Sequence, residues 1–432
     1  MTTISEPPDT ASTPAISRRP ARGAAFFSAY VAAGLLLIAF NLRIGVASVG
    51  PVLSSIQSGL GVSPATASLL TTIPVFAFGA FAFLTPALTR RVGLHRLLGI
   101  TMAAVAIGIG VRLIPSPIAL FGGTVLVGAA IAVANVCMPA AVKQDFGHRV
   151  GLMMGLYSTS LFIGAAVAAG LTVPLMSAFG GSWREALGFW VVPAVLALVV
   201  WIPRALRRPG RPPVADAPVA HAPMADAITE PRDEPRFARL FRDPVAWAVT
   251  GFMGLQSLSY YAALTWIPSI LHDAGTTQHD AGLLLAYSSI PGILAALTVP
   301  AAIGRLRPAW LPVAGSAVLC AVAFAGLLLA PSDALPWVWM TALGLGQGAA
   351  IALSLTYIVL RSPDARHTAH VSTMAQGIGY LLAGFGPLAL GALHSVTGGW
   401  AVPIIALIAL LIPQLLTGAA ASRERHVLSG GR

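Results

Sequence analysis

The chain is poor in charge. Asp, Glu, Lys and Arg make up 9% of its 432 residues, against about 25% in soluble domains, which excludes an ordinary soluble protein. Lysine is almost absent: the 26 basic residues are 25 arginines and Lys143. The two cysteines, Cys137 and Cys320, both lie in apolar runs, so neither a disulfide framework nor a metal site is implied. No glycine-rich nucleotide loop occurs, which leaves direct drive by ATP without support. No cofactor is expected. The first 24 residues lack a cleavable signal pattern. They are rich in Pro, Ser and Thr, with Arg18, Arg19 and Arg22, and read as a disordered tail.

Apolar runs are abundant. Stretches of about 20 residues, enough to cross roughly 30 Å of hydrocarbon, recur along the chain. They predict twelve transmembrane helices, at about 26–53, 65–87, 95–114, 118–142, 151–178, 184–203, 244–271, 281–303, 310–330, 335–359, 370–393 and 401–420. The fold class is therefore an all-α polytopic membrane protein, a chain that needs the lipid bilayer as a partner.

The basic residues follow that division. Twenty-three of the 26 fall in the tails and alternate loops, Arg112 and Arg184 fall on the other side, and Arg43 lies inside a span. This asymmetry predicts that both termini are cytoplasmic and that the span count is even. It also accounts for the net charge of +11 as orientation in a bilayer, with no nucleic acid required. Residues 205–243, rich in Pro, Ala and charge, read as a cytoplasmic linker between six-helix bundles at 25–204 and 244–420. Phe237–Phe241 suits a short surface helix leading into span 7, and 421–432 form a cytoplasmic C-tail.

The bundles read as copies of one another. A shift of 217 residues puts Pro51 on Pro268, Thr71–Pro74 on Ser288–Pro291 and Trp183 on Trp400; a shift of 220 puts Gly128–Ala132 on Gly348–Ala352. Duplicated halves suit a carrier that rocks about a site near the bilayer midplane.

Arg43 stands apart. A guanidinium at the centre of a membrane helix costs roughly 2.5–3.5 kcal/mol on insertion scales. All fifteen acids lie in tails, loops or span ends, so no carboxylate is available at its depth. Ala39, Ala47 and Gly50 share its helical face and predict space beside it. Two readings stay open: contact with an anion, whose planar acceptors match the guanidinium fork, and a clamp on helix carbonyls. With no Asp, Glu or His deep in a span (His394 is near a span end), no proton relay can be named.

The loop after span 2, Pro86-Ala-Leu-Thr-Arg90-Arg91-Val-Gly93-Leu-His-Arg96, resembles a degraded form of the loop signature of the major facilitator superfamily. Arg91, Gly93 and Arg96 are its gating candidates. The signature's acidic position is Arg90, so its ion pair does not carry over. Asn41-Leu-Arg43, Ser48–Pro51, Lys143–Phe146, Gly155-Leu-Tyr157, Ser182–Glu185, Gly254–Ser257 and Leu264–Pro268 together resemble the cyanate permease and 2-nitroimidazole transporter family within that superfamily. The resemblance implies the major facilitator fold with two six-helix pseudo-repeats. It also implies secondary transport of a small polar solute across a bacterial inner membrane, and a site between the halves lined chiefly by spans 1, 4, 7 and 10.

On those spans and their neighbours the polar candidates are Asn41 and Arg43; Tyr260, which the repeat sets opposite Arg43; Gln256 and Tyr261; Asn135; Tyr157 and Ser160; Gln347 and Tyr357; and Gln376 and Tyr380. Buried Asn and Gln also serve simply to join helices, and that alternative stays open for each. The leading expectation is a monomeric, non-enzymatic carrier for a small anionic or strongly polar solute, with Arg43 at its centre. The rival is an exporter of neutral or aromatic compounds. A non-transporting receptor would need an output domain, for which the linker and tails leave little room.

Overall fold

The computed structural model describes residues 22–206, 237–331 and 335–428. Nearly all of the N-tail and most of the linker lie outside the described residues. The helices are α1 (Arg22–Ala47), α2 (Leu53–Leu60), α3 (Pro64–Ala82), α4 (Thr85–Val92), α5 (Leu94–Val111), α6 (Pro117–Phe146), α7 (Val150–Ala178), α8 (Trp183–Phe189) and α9 (Val191–Leu206). After the linker come α10 (Phe237–Leu240), α11 (Pro244–Asp273), α12 (Gln278–Ala302), α13 (Leu311–Leu329), α14 (Pro336–Leu360), α15 (Ala365–Thr397) and α16 (Ala401–Ser422).

Ten of these run most of the expected spans singly, α3 and α4 form one span bent by 61°, and α8 with α9 completes the twelfth. The chain crosses the layer by helix alone because lipid offers backbone N–H and C=O groups no other partner. Among the described residues, the start of α1 and the ends of α4, α9, α12 and α16 share one face of the molecule, called here the terminal face.

Helix ends show where the acids went. Asp243 Oδ1 accepts from the backbone N–H groups of Val245 (2.7 Å) and Ala246 (2.9 Å). Asp364 Oδ1 accepts from Arg366 N (2.8 Å) and His367 N (2.9 Å). Such caps satisfy donors that the first helical turn leaves free. Asp145 is different: near the terminal face its Oδ1 lies 2.8 Å from Arg204 Nη2, which is 2.8 Å from His95 Nε2. This polar knot ties the end of α6 to α5 and α9.

The residues after α16 fold back onto the same face. Val427 N donates to Arg361 O (2.9 Å), Arg361 Nη1 donates to Arg423 O (2.7 Å), and Leu428 N donates to Asp243 Oδ2.

The repeat is visible in packing. Gly128 of α6 sits against α3, where an added Cβ would come within 3.2 Å of Pro74 Cα. Its counterpart Gly348 of α14 lies against Gly292 of α12, next to Pro291. Matched residues therefore make matched contacts in the two halves. Between halves, α7 packs on α12 and α3 on α15. At Gly155 an added Cβ would lie 2.7 Å from Leu297 O, so glycine is what lets these helices approach. The contacts run from mid-depth, where Phe76 meets Phe385 edge-on at 6.1 Å, to the terminal face, where Gly151 abuts Pro300.

Arg112, counted with the charges on the side away from the termini, stays at that end of α5 but is only 2% exposed. Near Gly50 and Pro51, α1 tightens and breaks: Ser48 N still reaches Ile44 O, but Val49 N turns to Val46 O. The freed Gly45 carbonyl accepts from Arg112 Nη1 at 2.9 Å. The clamp on helix carbonyls is thus a role that Arg112 fills. Replacing Arg112 with Leu leaves Gly45 O unpaired and is expected to cost about 1–3 kcal/mol. Thermal unfolding of the detergent-purified variant checks this; an unchanged midpoint would remove the role.

Candidate substrate site

Arg43 projects from α1 at the junction of the halves. Its Nη1 donates to Tyr261 Oη of α11 at 2.9 Å, a bond from one half of the molecule to the other. Tyr260 and Tyr380 also face the guanidinium, and Tyr157 lies next to Tyr380 and within electrostatic reach of Arg43. Four of the chain's seven tyrosines thus gather around one cation. Their rings meet edge to face: Tyr260 with Tyr261 at 5.4 Å, Tyr261 with Tyr380 at 6.4 Å, and Tyr380 with Phe78 at 5.4 Å. Among the described residues no carboxylate lies within ion-pair distance of Arg43.

A guanidinium carries five N–H donors and no acceptor. Tyrosine hydroxyls satisfy part of that set and leave donors for a ligand. Beside Arg43 is a cavity with about 10 Å³ of water-accessible space, lined by Arg43, Tyr260, Leu161, Phe162, Ala165 and Ile351. About 10–15 Å³ is what one water needs. The space beside Arg43 therefore comes from α7 and α14. The small-residue stripe of α1 does not supply it: Ala39 is fully buried in the core.

Residues 35–387 match the model described as Major Facilitator Superfamily. The chain belongs to the major facilitator superfamily. It is similar to the uncharacterized transporter YycB of Bacillus subtilis, at 36% identity over 93% of this chain and 95% of that protein. The 2-nitroimidazole transporter of Escherichia coli is 34% identical over 91% and 96%, and the cyanate transport protein CynX of the same organism 29% over 88% and 94%. Among solved structures, the E. coli fucose:proton symporter FucP superposes with a TM-score of 0.67 at 13% identity, covering 91% of this chain and 99% of that one; at that identity the likeness speaks for the fold alone. The protein is thus a multi-pass membrane transporter and not an enzyme, and the family implies a small-molecule substrate.

Within this transporter the other sequence candidates separate. Asn41 is buried, but its Nδ2 donates to Leu37 O (2.9 Å) and Pro193 O (3.0 Å), bracing α1 on α9 away from the tyrosines. Gln256 Nε2 bonds Ser257 Oγ (2.7 Å) and Met253 O (3.1 Å) within its own helix. The Tyr357 ring lies tilted against Phe252 with centroids 6.1 Å apart, three turns beyond Gln347 toward the terminal face. Arg91, Gly93 and Arg96 lie at the α4–α5 turn. There Gly93 has φ +89°, a conformation glycine adopts freely, and both arginines are exposed.

Asn135, Tyr157 and Gln376 form a second cross-half link. Pro139 has no N–H to offer the carbonyl four residues earlier, which is that of Asn135. Gln376 Nε2 of α15 donates to that Asn135 O at 2.9 Å and to Ser372 Oγ at 2.7 Å, while Tyr157 Oη reaches Asn135 Oδ1 at 3.4 Å. Gln347 is half-buried and its Nε2 has no partner among the described residues.

Sequence reasoning missed the apolar wall. Leu161 lies one helical turn past Tyr157, and Ile351 one turn past Gln347, so the i+4 rule applied to the polar candidates would have found both. Replacing Gln376 with Leu strands the Asn135 carbonyl and is expected to cost about 1–2 kcal/mol. Equilibrium unfolding in mixed micelles checks this; a variant as stable as the parent would show that the bond is not needed.

Proposed function

We propose that this protein is a secondary carrier for a small anionic or strongly polar solute, working by alternating access, with Arg43 as its recognition group. The observation that carries the reading is the Arg43–Tyr261 bond: a half-buried cation whose partner in the other half is a neutral hydroxyl. An anion offers Arg43 a stronger, charge-assisted partner than tyrosine does. Binding then exchanges the Tyr261 contact for one with the solute, at the place where the halves meet.

Gln347, one turn from the cavity, supplies an unpaired amide for the same ligand. Asn135 and Tyr157 shape the pocket's flank, Tyr260 closes it, and Gln376 holds the halves in register beside it. Asn41, Gln256 and Tyr357 support the helices that present it. The relatives lend weight, one being a 2-nitroimidazole transporter and another a cyanate transport protein.

The excess of arginine on the terminal face sets that face in the cytoplasm of a bacterial cell, with both termini inside and the protein in the inner membrane as a monomer. The bundles at 25–204 and 244–420 move as units about the site, joined by the 205–243 linker. Contacts between halves on the terminal side belong to a state closed toward the cytoplasm, and the loop at Arg91, Gly93 and Arg96 lies at that closure.

Proteoliposomes containing the purified protein are expected to take up a radiolabelled small anion. Arg43→Ala should lower uptake by at least about tenfold, the equivalent of losing one charged hydrogen bond, while eluting as a folded species. Normal uptake by Arg43→Ala would remove Arg43 from the site.

A further inference from the structure

The walls of the cavity differ in kind, and that difference narrows the solute. The cavity's polar lining is Arg43 and Tyr260, donors to an anionic head. The rest is Leu161, Phe162 and Ala165 of α7 and Ile351 of α14, which offer a ligand no hydrogen bond. A small inorganic anion would lose water against these four with nothing in exchange, an uncompensated desolvation. A ligand with an apolar body would gain there. The flanking rings add a shape requirement, since Tyr260, Tyr261, Tyr380 and Phe78 form a continuous edge-to-face array whose faces and edges suit a flat partner.

We infer that the solute is a planar organic anion with an aromatic body, its charged end on Arg43 and its ring against Phe162, Leu161 and Ile351. The inference rests on Arg43 being the anion site proposed above and adds the part of the ligand that the charge does not see. Residues from both halves touch the ligand: Arg43, Leu161 and Phe162 from the first, Tyr260 and Ile351 from the second. The present space of about 10 Å³ holds one water, so a ring enters only as the walls separate. The Arg43–Tyr261 bond is the cross-half contact at the site that yields as it does so. Phe162 also reaches α12 of the other half, where an added Cβ on Gly292 would lie 3.7 Å from its ring.

The test is equilibrium binding of benzoate, acetate and nitrate to the purified full-length protein, with Phe162→Ala, Phe162→Leu and Arg43→Ala alongside. Benzoate is expected to bind at least about tenfold more tightly than acetate or nitrate, from the apolar area its ring buries. Phe162→Ala should shrink that preference severalfold without weakening acetate, and Phe162→Leu, which keeps an apolar wall and guards against misfolding, should retain most of it. If acetate or nitrate binds as tightly as benzoate and Arg43→Ala abolishes both, the aromatic body is wrong and the anion site stands. If no anion binds in an Arg43-dependent way, both readings fall.

Discussion

Among the described residues Arg43 has no carboxylate partner, and much else in the molecule is arranged around that fact. A lone guanidinium inside a membrane is held only where other groups replace its hydration. Here those groups are tyrosine hydroxyls, and the one bonded at 2.9 Å belongs to the opposite half. A hydroxyl is a weaker partner than a carboxylate. A permanent ion pair would satisfy the cation fully; Tyr261 holds the side chain in place with a weaker bond. On the proposed reading, a ligand that displaces Tyr261 acts on both halves at once.

The second cross-half link is of another type. Pro139 frees the carbonyl of Asn135, and Gln376 takes it from across the interface. Gly45 O, released where α1 breaks, is taken by Arg112 in the same manner. Both follow from one constraint, that a backbone carbonyl deprived of its helical donor inside a membrane must find another. The two interface bonds also differ in what could replace them. A solute can substitute for Tyr261 at Arg43, but only another donor can substitute for Gln376 at the carbonyl. We infer that the first is exchanged during transport and the second fixes the register of the closed state.

Much of this was legible beforehand. Composition and apolar runs sufficed for the membrane fold, and the absence of deep acids isolated Arg43. The repeat pointed to Tyr260, whereas the bonded residue is Tyr261. Adjacent helical positions differ by about 100°, and an offset between diverged halves cannot resolve one residue. Asn41, two residues before Arg43, lies nearly on the opposite side of α1, and its amide turns to Pro193 O of α9. The Gln376 bond depends on which helices become neighbours across the interface, which no local pattern encodes, although the proline that creates its acceptor stands in plain view at position 139. The partner of Arg112 was not legible, because a charge at the end of an apolar run looks the same whether it faces water or a broken helix.

The placement of the acids completes the argument about sign. Asp243 and Asp364 are committed to helix N-termini, and Asp145 to Arg204, all near the terminal face, where water is close and ionisation is cheap. None is spared for the centre. The field at the site is therefore set by Arg43 together with hydroxyl and amide dipoles, and nothing there compensates a cation. Discrimination between partners comes as much from what a site repels as from what it attracts. A cation approaching Arg43 meets like charge in a low-dielectric setting, where repulsion is strongest, while an anion meets a strong donor. On the proposed reading, selection by charge thus requires no acidic residue at Arg43; it follows from keeping acids at the membrane faces.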